Sequence, residues 1–242
     1  MRRRPGVLVA LDVPSAAEAL DLARRLVEQA AGFKVGLELL MGPGPGVVAA
    51  VRELGRPVFV DAKLHDIPAT VERAARRLGR LGARWLTVHA SGGDDMVRAA
   101  VEGLTSQAPD AGVVAVTVLT SLDEPRLARV IGSGSVGRQV ARLASLADDA
   151  GAEGVVCSVS ELGVVAQAAP RLLRVTPGIR PVGAAADDQA RVATPSEAVR
   201  RGADLVVVGR PVTRASDPAA ALRSLVAEME QAVDTQGNGV GE

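Results

Sequence analysis

Tyrosine is absent from this 242-residue chain, and Phe33, Phe59 and Trp85 are its full set of aromatic residues. With so few rings to stack on, a planar ligand would have to be held by backbone, aliphatic and polar groups. Cysteine is scarcer still. Cys157 stands alone in the apolar run GVVCSV, which excludes an internal disulfide and fits a buried strand residue in a reducing cytoplasm. Neither sign of charge is in excess, since 28 basic residues balance 28 acidic ones. A zero net charge argues against the broad basic face that nucleic acid or an anionic membrane requires, although Arg2, Arg3 and Arg4 make a small basic start. No stretch approaches the roughly eighteen uninterrupted apolar residues of a membrane span. The apolar run after Arg4 is broken by Asp12 with no small-residue cleavage site behind it, so a cytoplasmic protein without a signal peptide or a membrane partner is expected.

Lysine is the most telling scarcity. Only Lys34 and Lys63 occur, and the other 26 basic residues are arginines. Guanidinium does not give up its proton, whereas an ammonium is a compact point charge that can. A chain that uses arginine everywhere else keeps lysine where that difference matters. Lys63 lies in PVFVDAKLHDIPAT, where Asp61, Lys63, His65 and Asp66 crowd the end of a β-type run. Side chains alternate along a strand, so Asp61 and Lys63 point to one face and Ala62 to the other. Lys34, in GFKVGLELL, falls on the preceding β-type run, which is the neighbouring strand if consecutive strands pair. The expected array is Lys34, Asp61, Lys63 and Asp66, alternating in sign. Opposite charges a few ångströms apart favour the charged form of each and fix the Lys63 ammonium in space, as a positioned proton donor requires.

Eight apolar, β-branched runs recur along the chain, at 7–12, 32–38, 57–63, 85–90, 112–120, 154–159, 172–178 and 205–209. Segments of helical period separate them, such as SAAEALDLARRLVEQA, which opens with Ser15 and Glu18 in capping-box spacing, and TVERAARRLGRLG. Runs apolar on both faces and alternating with helices predict a parallel sheet, and eight is the number that closes a (β/α)8 TIM barrel. The competing architecture is an open doubly wound sheet. The barrel is favoured because Asp12, Asp61, Lys63, His89, Thr120, Thr176 and Arg210 all fall at carboxyl ends of runs, which converge on one mouth in a barrel. The expected organisation is one barrel domain over 1–234 and a disordered tail over 235–242.

Gly132, Gly134 and Gly137 satisfy G-x-G-x-x-G, but PRLARVI before them reads as helix, so the dinucleotide-binding context fails. GPGPG at 42–46 reads as a helix-opening turn. His65 and His89 have no metal-ligand spacing, and neither metal nor cofactor is expected. VVVGRPVT places Gly209 and Arg210 at the end of the eighth run, and the loop before it holds Arg180 and Gln189. Loops after strands seven and eight are the usual phosphate site of such barrels. The Gly, Ala and Asp content of 182–188 suggests a flap over that phosphate.

In order along nearly the whole chain, ALD at 10–12, FKVGLELL, FVDAKLHDIPATV, VTVLTS, TPGIR, DDQARVATP and VVVGRPVT resemble the orotidine 5'-monophosphate decarboxylase family. The resemblance implies cofactor-free decarboxylation of orotidine 5'-monophosphate to uridine 5'-monophosphate and CO2, the last step of pyrimidine nucleotide synthesis. It implies that Lys63 protonates C6 of the product and that Lys34, Asp61 and Asp66 complete a charged tetrad. Asp12 and Lys34 are implied to touch the ribose hydroxyls, Thr120 the pyrimidine, and Arg180, Gln189, Gly209 and Arg210 the phosphate. Asp61, Ile67 and Thr70 join the implied substrate contacts. Asp66 and Thr70 are implied to serve a neighbouring subunit's site, hence a homodimer. The family usually reads D-I-P-N-T, and Ala69 here replaces the Asn. Magnesium-dependent phosphosugar relatives share D-x-K-x-x-D but carry an acidic residue where Lys34 stands. A phosphate-ligand binding protein on a barrel without catalysis is the alternative of another class.

Overall fold

The computed structural model describes residues 4–132, 135–181 and 193–238. Its strands alternate with one or two helices around a closed ring. The first half runs β1 (Gly6–Ala10), α1 (Ala16–Leu26), β2 (Gly32–Val35), α2 (Leu37–Met41), α3 (Val47–Arg52), β3 (Val58–Leu64), α4 (Pro68–Arg80) and β4 (Trp85–His89). The second half runs α5 (Asp94–Thr105), β5 (Gly112–Val116), α6 (Glu124–Ile131), α7 (Val136–Asp149), β6 (Gly154–Val156), α8 (Leu162–Ala168), β7 (Leu173–Thr176), α9 (Pro195–Arg201), β8 (Leu205–Val208), α10 (Arg210–Thr213) and α11 (Pro218–Asn238). Every neighbouring pair of strands is parallel, and β1 pairs with β8 as well as β2, which closes the (β/α)8 barrel.

The closed ring follows from strands that are mostly apolar and buried on both faces, with polar residues such as Lys34, Asp61, Lys63, Arg174 and Thr176 falling mainly toward their carboxyl ends. Leu8, Phe59, Trp85, Val114 and Val175 fill the inside of the barrel, with the Phe59 and Trp85 rings tilted at 6.3 Å between centroids. Residues of opposite phase, such as Val7, Val9, Val58, Val60 and Val113, pack outward against the helices. Burying each such side chain stabilises the fold by about 1.5–3 kcal/mol. Ser15 caps α1 as its spacing predicts, accepting from the Glu18 N–H, while the Glu18 carboxylate accepts from the Ser15 hydroxyl at 2.9 Å. The segment before Gly132 is the helix α6, so no strand leads into the G-x-G-x-x-G run, of which 133 and 134 lie outside the described residues. Among the described residues no helix is long and apolar enough to cross a membrane.

Strand ends differ from the apolar runs. The run at 112–120 forms a strand only to Val116, where its partner β6 also ends at Val156, and beyond it the Thr117 hydroxyl and N–H share the Val156 carbonyl at 2.9 and 3.4 Å; Thr120 lies in the loop that follows. The run at 32–38 stops at Val35, where Leu37 opens α2. The expected tail at 235–242 also begins too early, since α11 continues through Asn238. Leu222, Leu225, Met229 and Ala232 bury its apolar stripe, and each further residue adds a backbone hydrogen bond to a helix already nucleated.

Candidate active site

The carboxyl ends of the strands surround a cleft of about 440 Å³, a size suited to a small organic ligand. Its floor is apolar, from Ala10, Phe59, Val116, Val156, Val175 and Val207. Asp12, Lys34, Asp61, Lys63, Thr120, Arg180, Gly209 and Arg210 line it as well. Eight residues expected at the site from sequence thus meet at one mouth, although they are spread over nearly 200 positions.

The charged wall depends on an irregularity in β3. Val60 pairs with Leu86 and Leu64 with Val88, so Asp61, Ala62 and Lys63 all stand opposite the single residue Thr87. Two extra residues therefore bulge from β3, and Lys63 adopts a φ of +49°, the only positive φ outside glycine among the described residues. The bulge removes the ladder partner of the Lys63 N–H, which donates instead to the Thr87 hydroxyl at 2.8 Å. That hydroxyl in turn donates to Asp61 Oδ1 at 3.0 Å. Lys63 Nζ lies 2.8 Å from the same Asp61 oxygen, and Lys34 Nζ lies 3.6 Å from the other. Lys34 also reaches Asp12 at 3.0 Å. Burial opposes the charge on Asp61, but Lys34, Lys63 and the Thr87 hydroxyl outweigh it and hold its carboxyl below the ordinary 3.8.

An alternating array therefore exists within one chain, but its order is Asp12, Lys34, Asp61, Lys63 rather than the expected Lys34, Asp61, Lys63, Asp66. Asp66 follows the strand end on the loop into α4, is exposed, and accepts from the Ile67 N–H at 2.6 Å. No ion pair joins it to either lysine among the described residues. Ile67 is 66% exposed beside it, and Thr70 lies in the first turn of α4. His65 and His89 sit with ring centroids 5.3 Å apart, and burial together with the charges of His65 and Lys63 lowers the pKa of His89 against the pull of Asp61. Among the described residues no three His, Cys, Asp or Glu side chains form a group able to hold a metal ion.

On the opposite wall, Arg180 follows β7 and is largely buried, and Arg210 opens α10 directly after Gly209. The Arg180 N–H donates to the Ala193 carbonyl and the Ala193 N–H to Gly178, whose φ of +80° suits glycine alone in TPGIR. A Cβ on Gly209 would meet protein atoms only at ordinary contact distance, 3.6 Å from Ala10 and 3.8 Å from Asp12, so what a side chain there would take up is the cleft beside Arg210. Gln189 and the expected flap at 182–188 lie outside the described residues.

Two residues of the site are not marked in the sequence. Thr87 reads as one more β-branched member of WLTVHA, and only its place opposite the bulge makes its hydroxyl matter. Gly36 is the second, because a Cβ there would come within 3.0 Å of Lys34 Nζ and 3.2 Å of Asp12 Oδ1, crowding the ion pair. Its one sequence signal is a glycine two residues after a rare lysine.

Residues 5–225 match the orotidine 5'-phosphate decarboxylase / HUMPS family. The orotidine 5'-phosphate decarboxylase of Anaeromyxobacter sp. (strain K) is 53% identical over 228 residues, 94% of this chain and 99% of that protein. Its namesake in Thermobifida fusca is 51% identical over 227 residues, 93% of this chain and 96% of the relative. The crystal structure of orotidine 5'-phosphate decarboxylase from Lactobacillus acidophilus aligns with a TM-score of 0.82 at 36% identity, covering 93% of this chain and 99% of its own. With the match running over almost all of the barrel and over the relatives' full length, this chain belongs to the orotidine 5'-phosphate decarboxylase / HUMPS family.

Proposed function

We propose that this chain decarboxylates orotidine 5'-monophosphate to uridine 5'-monophosphate and CO2, closing de novo pyrimidine nucleotide synthesis, with Lys63 as the essential acid. The observation that carries this reading is the Asp12, Lys34, Asp61, Lys63 array facing Arg180 and Arg210 across one cleft. Loss of CO2 from C6 leaves an electron pair in the plane of the ring, which the π system cannot absorb. Stabilisation must then be electrostatic, from a charge held in place before the reaction begins. Lys63, fixed by Asp61, supplies that charge beside C6 and then delivers its proton to the carbanion. The phosphate, remote from the breaking bond, binds through Arg180, Gln189, Gly209 and Arg210, and its binding energy serves orientation and exclusion of water. Asp12 and Lys34 hold the ribose hydroxyls, and Thr120 contacts the pyrimidine.

Lys34 also argues against a divalent cation at this wall. Its ammonium already stands between Asp12 and Asp61, the carboxylates that would ligate one, and would repel the cation. We assign Asp66 and Thr70 to the site of a second copy in a homodimer, and Ile67 beside them to the substrate contacts. The test is the loss of the orotate chromophore on mixing metal-stripped protein with orotidine 5'-monophosphate, run beside Lys63→Ala. Turnover by the wild type alone is expected. Equal turnover by Lys63→Ala overturns the role of Lys63, and no turnover by either protein overturns the activity.

A further inference from the structure

We propose that Thr87 is a positioning residue for the reaction, setting both the backbone and the ammonium of Lys63 through one hydroxyl. The inference rests on Lys63 acting as the acid, as proposed above. Thr87 is fully buried, and its hydroxyl has two partners of fixed polarity. The Lys63 N–H can only donate, so at 2.8 Å it takes an oxygen lone pair. The hydroxyl proton is thereby directed to Asp61 Oδ1 at 3.0 Å, where an ionised carboxylate can only accept. The same Asp61 oxygen receives Lys63 Nζ at 2.8 Å, which closes a ring from the Lys63 backbone through Thr87 and Asp61 to the tip of the Lys63 side chain. A lysine side chain has four rotatable bonds and would otherwise sample many positions. Here both of its ends are referred to one rigid point on β4.

The bulge makes this arrangement necessary. With three residues of β3 opposite one of β4, no backbone carbonyl of the ladder serves Lys63, and its φ of +49° needs its surroundings to hold it. A β-branched residue suits the task, because its χ1 is stiff and the hydroxyl direction is set by the strand. The charged and titratable groups around Asp61 are Lys34 from β2, Lys63 from β3, His89 from β4, and Asp12 and His65 from the adjoining loops. Of the uncharged groups, only the Thr87 hydroxyl donates a side-chain hydrogen bond to Asp61 among the described residues.

The experiment compares Thr87→Val, which keeps the shape and loses the hydroxyl, with Thr87→Ser, which keeps the hydroxyl. Thr87→Val is expected to lower kcat for orotidine 5'-monophosphate by roughly 10- to 100-fold, the scale of a misplaced catalytic group, with KM changed less than about threefold. Thr87→Ser restores most of kcat. The acid limb of the kcat profile moves to higher pH in Thr87→Val alone, because an Asp61 that has lost a donor protonates more easily. An unchanged kcat in Thr87→Val, or equal losses in the Val and Ser variants, overturns the proposal. The Asp61 carboxylate is also titrated by carbon-13 NMR in folded wild type and Thr87→Val. A raised Asp61 pKa in the variant supports the proposal and an unchanged one overturns it, even if the wild type fails to turn over this substrate and the functional reading falls.

Discussion

Lys63 combines a chemical role with a backbone conformation that its side chain disfavours. A φ of +49° costs a residue bearing a Cβ on the order of 1 kcal/mol or more, and glycine almost nothing. Replacing lysine by alanine or by glycine removes the same ammonium, so both variants are expected to lose turnover. Their stabilities should nevertheless reverse the usual order. At an ordinary helix or strand position glycine is less stable than alanine by roughly 0.5–1 kcal/mol. Here Lys63→Gly should be at least as stable as Lys63→Ala in denaturant unfolding, and a glycine variant weaker by the usual margin would show that no strain is stored. The lysines, Asp12 and Asp61 were legible because each is a rare or charged residue at the end of an apolar run, and the run's alternation gives it a face. The bulge was not legible, since nothing in VDAKL says that two residues are surplus to the partner strand. Thr87 was hidden for the same reason, because a threonine in an apolar strand is ordinary until the residue across from it lacks a ladder partner.

At the scale of elements, the eight strands were legible because each carries a β-branched, mainly apolar run that a solvent-facing segment would not need, even where Arg174 and Thr176 interrupt it in β7. Their ends were not, because apolar residues such as Val118 stay buried in loops and extend the pattern past the ladder. The helices show the complementary effect, in which a small residue marks close packing rather than a turn. α4 and α5 approach so closely that a methyl on Gly103 would overlap the Glu72 carbonyl, and one on Gly79 would lie 2.8 Å from the Leu104 carbonyl. Neither carbonyl can move without its helix. Gly103→Ala is therefore expected to destabilise the barrel by roughly 1–3 kcal/mol through forced separation, less the propensity gain of about 1 kcal/mol that alanine brings to a helix. Gly163→Ala, at an exposed position of α8 where the added methyl meets nothing within 4 Å, is the control and should leave the melting temperature unchanged or raised. A Gly103→Ala protein as stable as that control would show that the two helices slide apart freely.

For the whole molecule, the buried charges make stability depend on acid in a direction that the site fixes. Asp61 has a folded pKa below its ordinary 3.8, so its contribution is fully present above that value and is lost as pH falls through the lowered one. Between the two values the unfolding free energy should fall with a slope of up to about 1.4 kcal/mol per pH unit from this group. Asp61→Asn should flatten that part of the curve, and an unaltered slope in denaturant titrations would place the acid sensitivity elsewhere. The rim poses the remaining question, because Asp66 is exposed beside an exposed Ile67 and makes no ion pair with the lysines of its own chain among the described residues. No pattern within the chain states that a second copy completes the cleft; only the resemblance to a family does. If a twofold dimer puts Asp66 of each copy into the other's site, two inactive variants must rescue one another. A Lys63→Ala protomer keeps Asp66, and an Asp66→Asn protomer keeps Lys63, so a hybrid dimer holds one intact site and one doubly altered site. Equal amounts refolded together should regain about a quarter of wild-type turnover, since half of the dimers are hybrids and half of their sites are whole. If Asp66 serves its own subunit, every site in the mixture carries one lesion and turnover stays at the level of the separate variants.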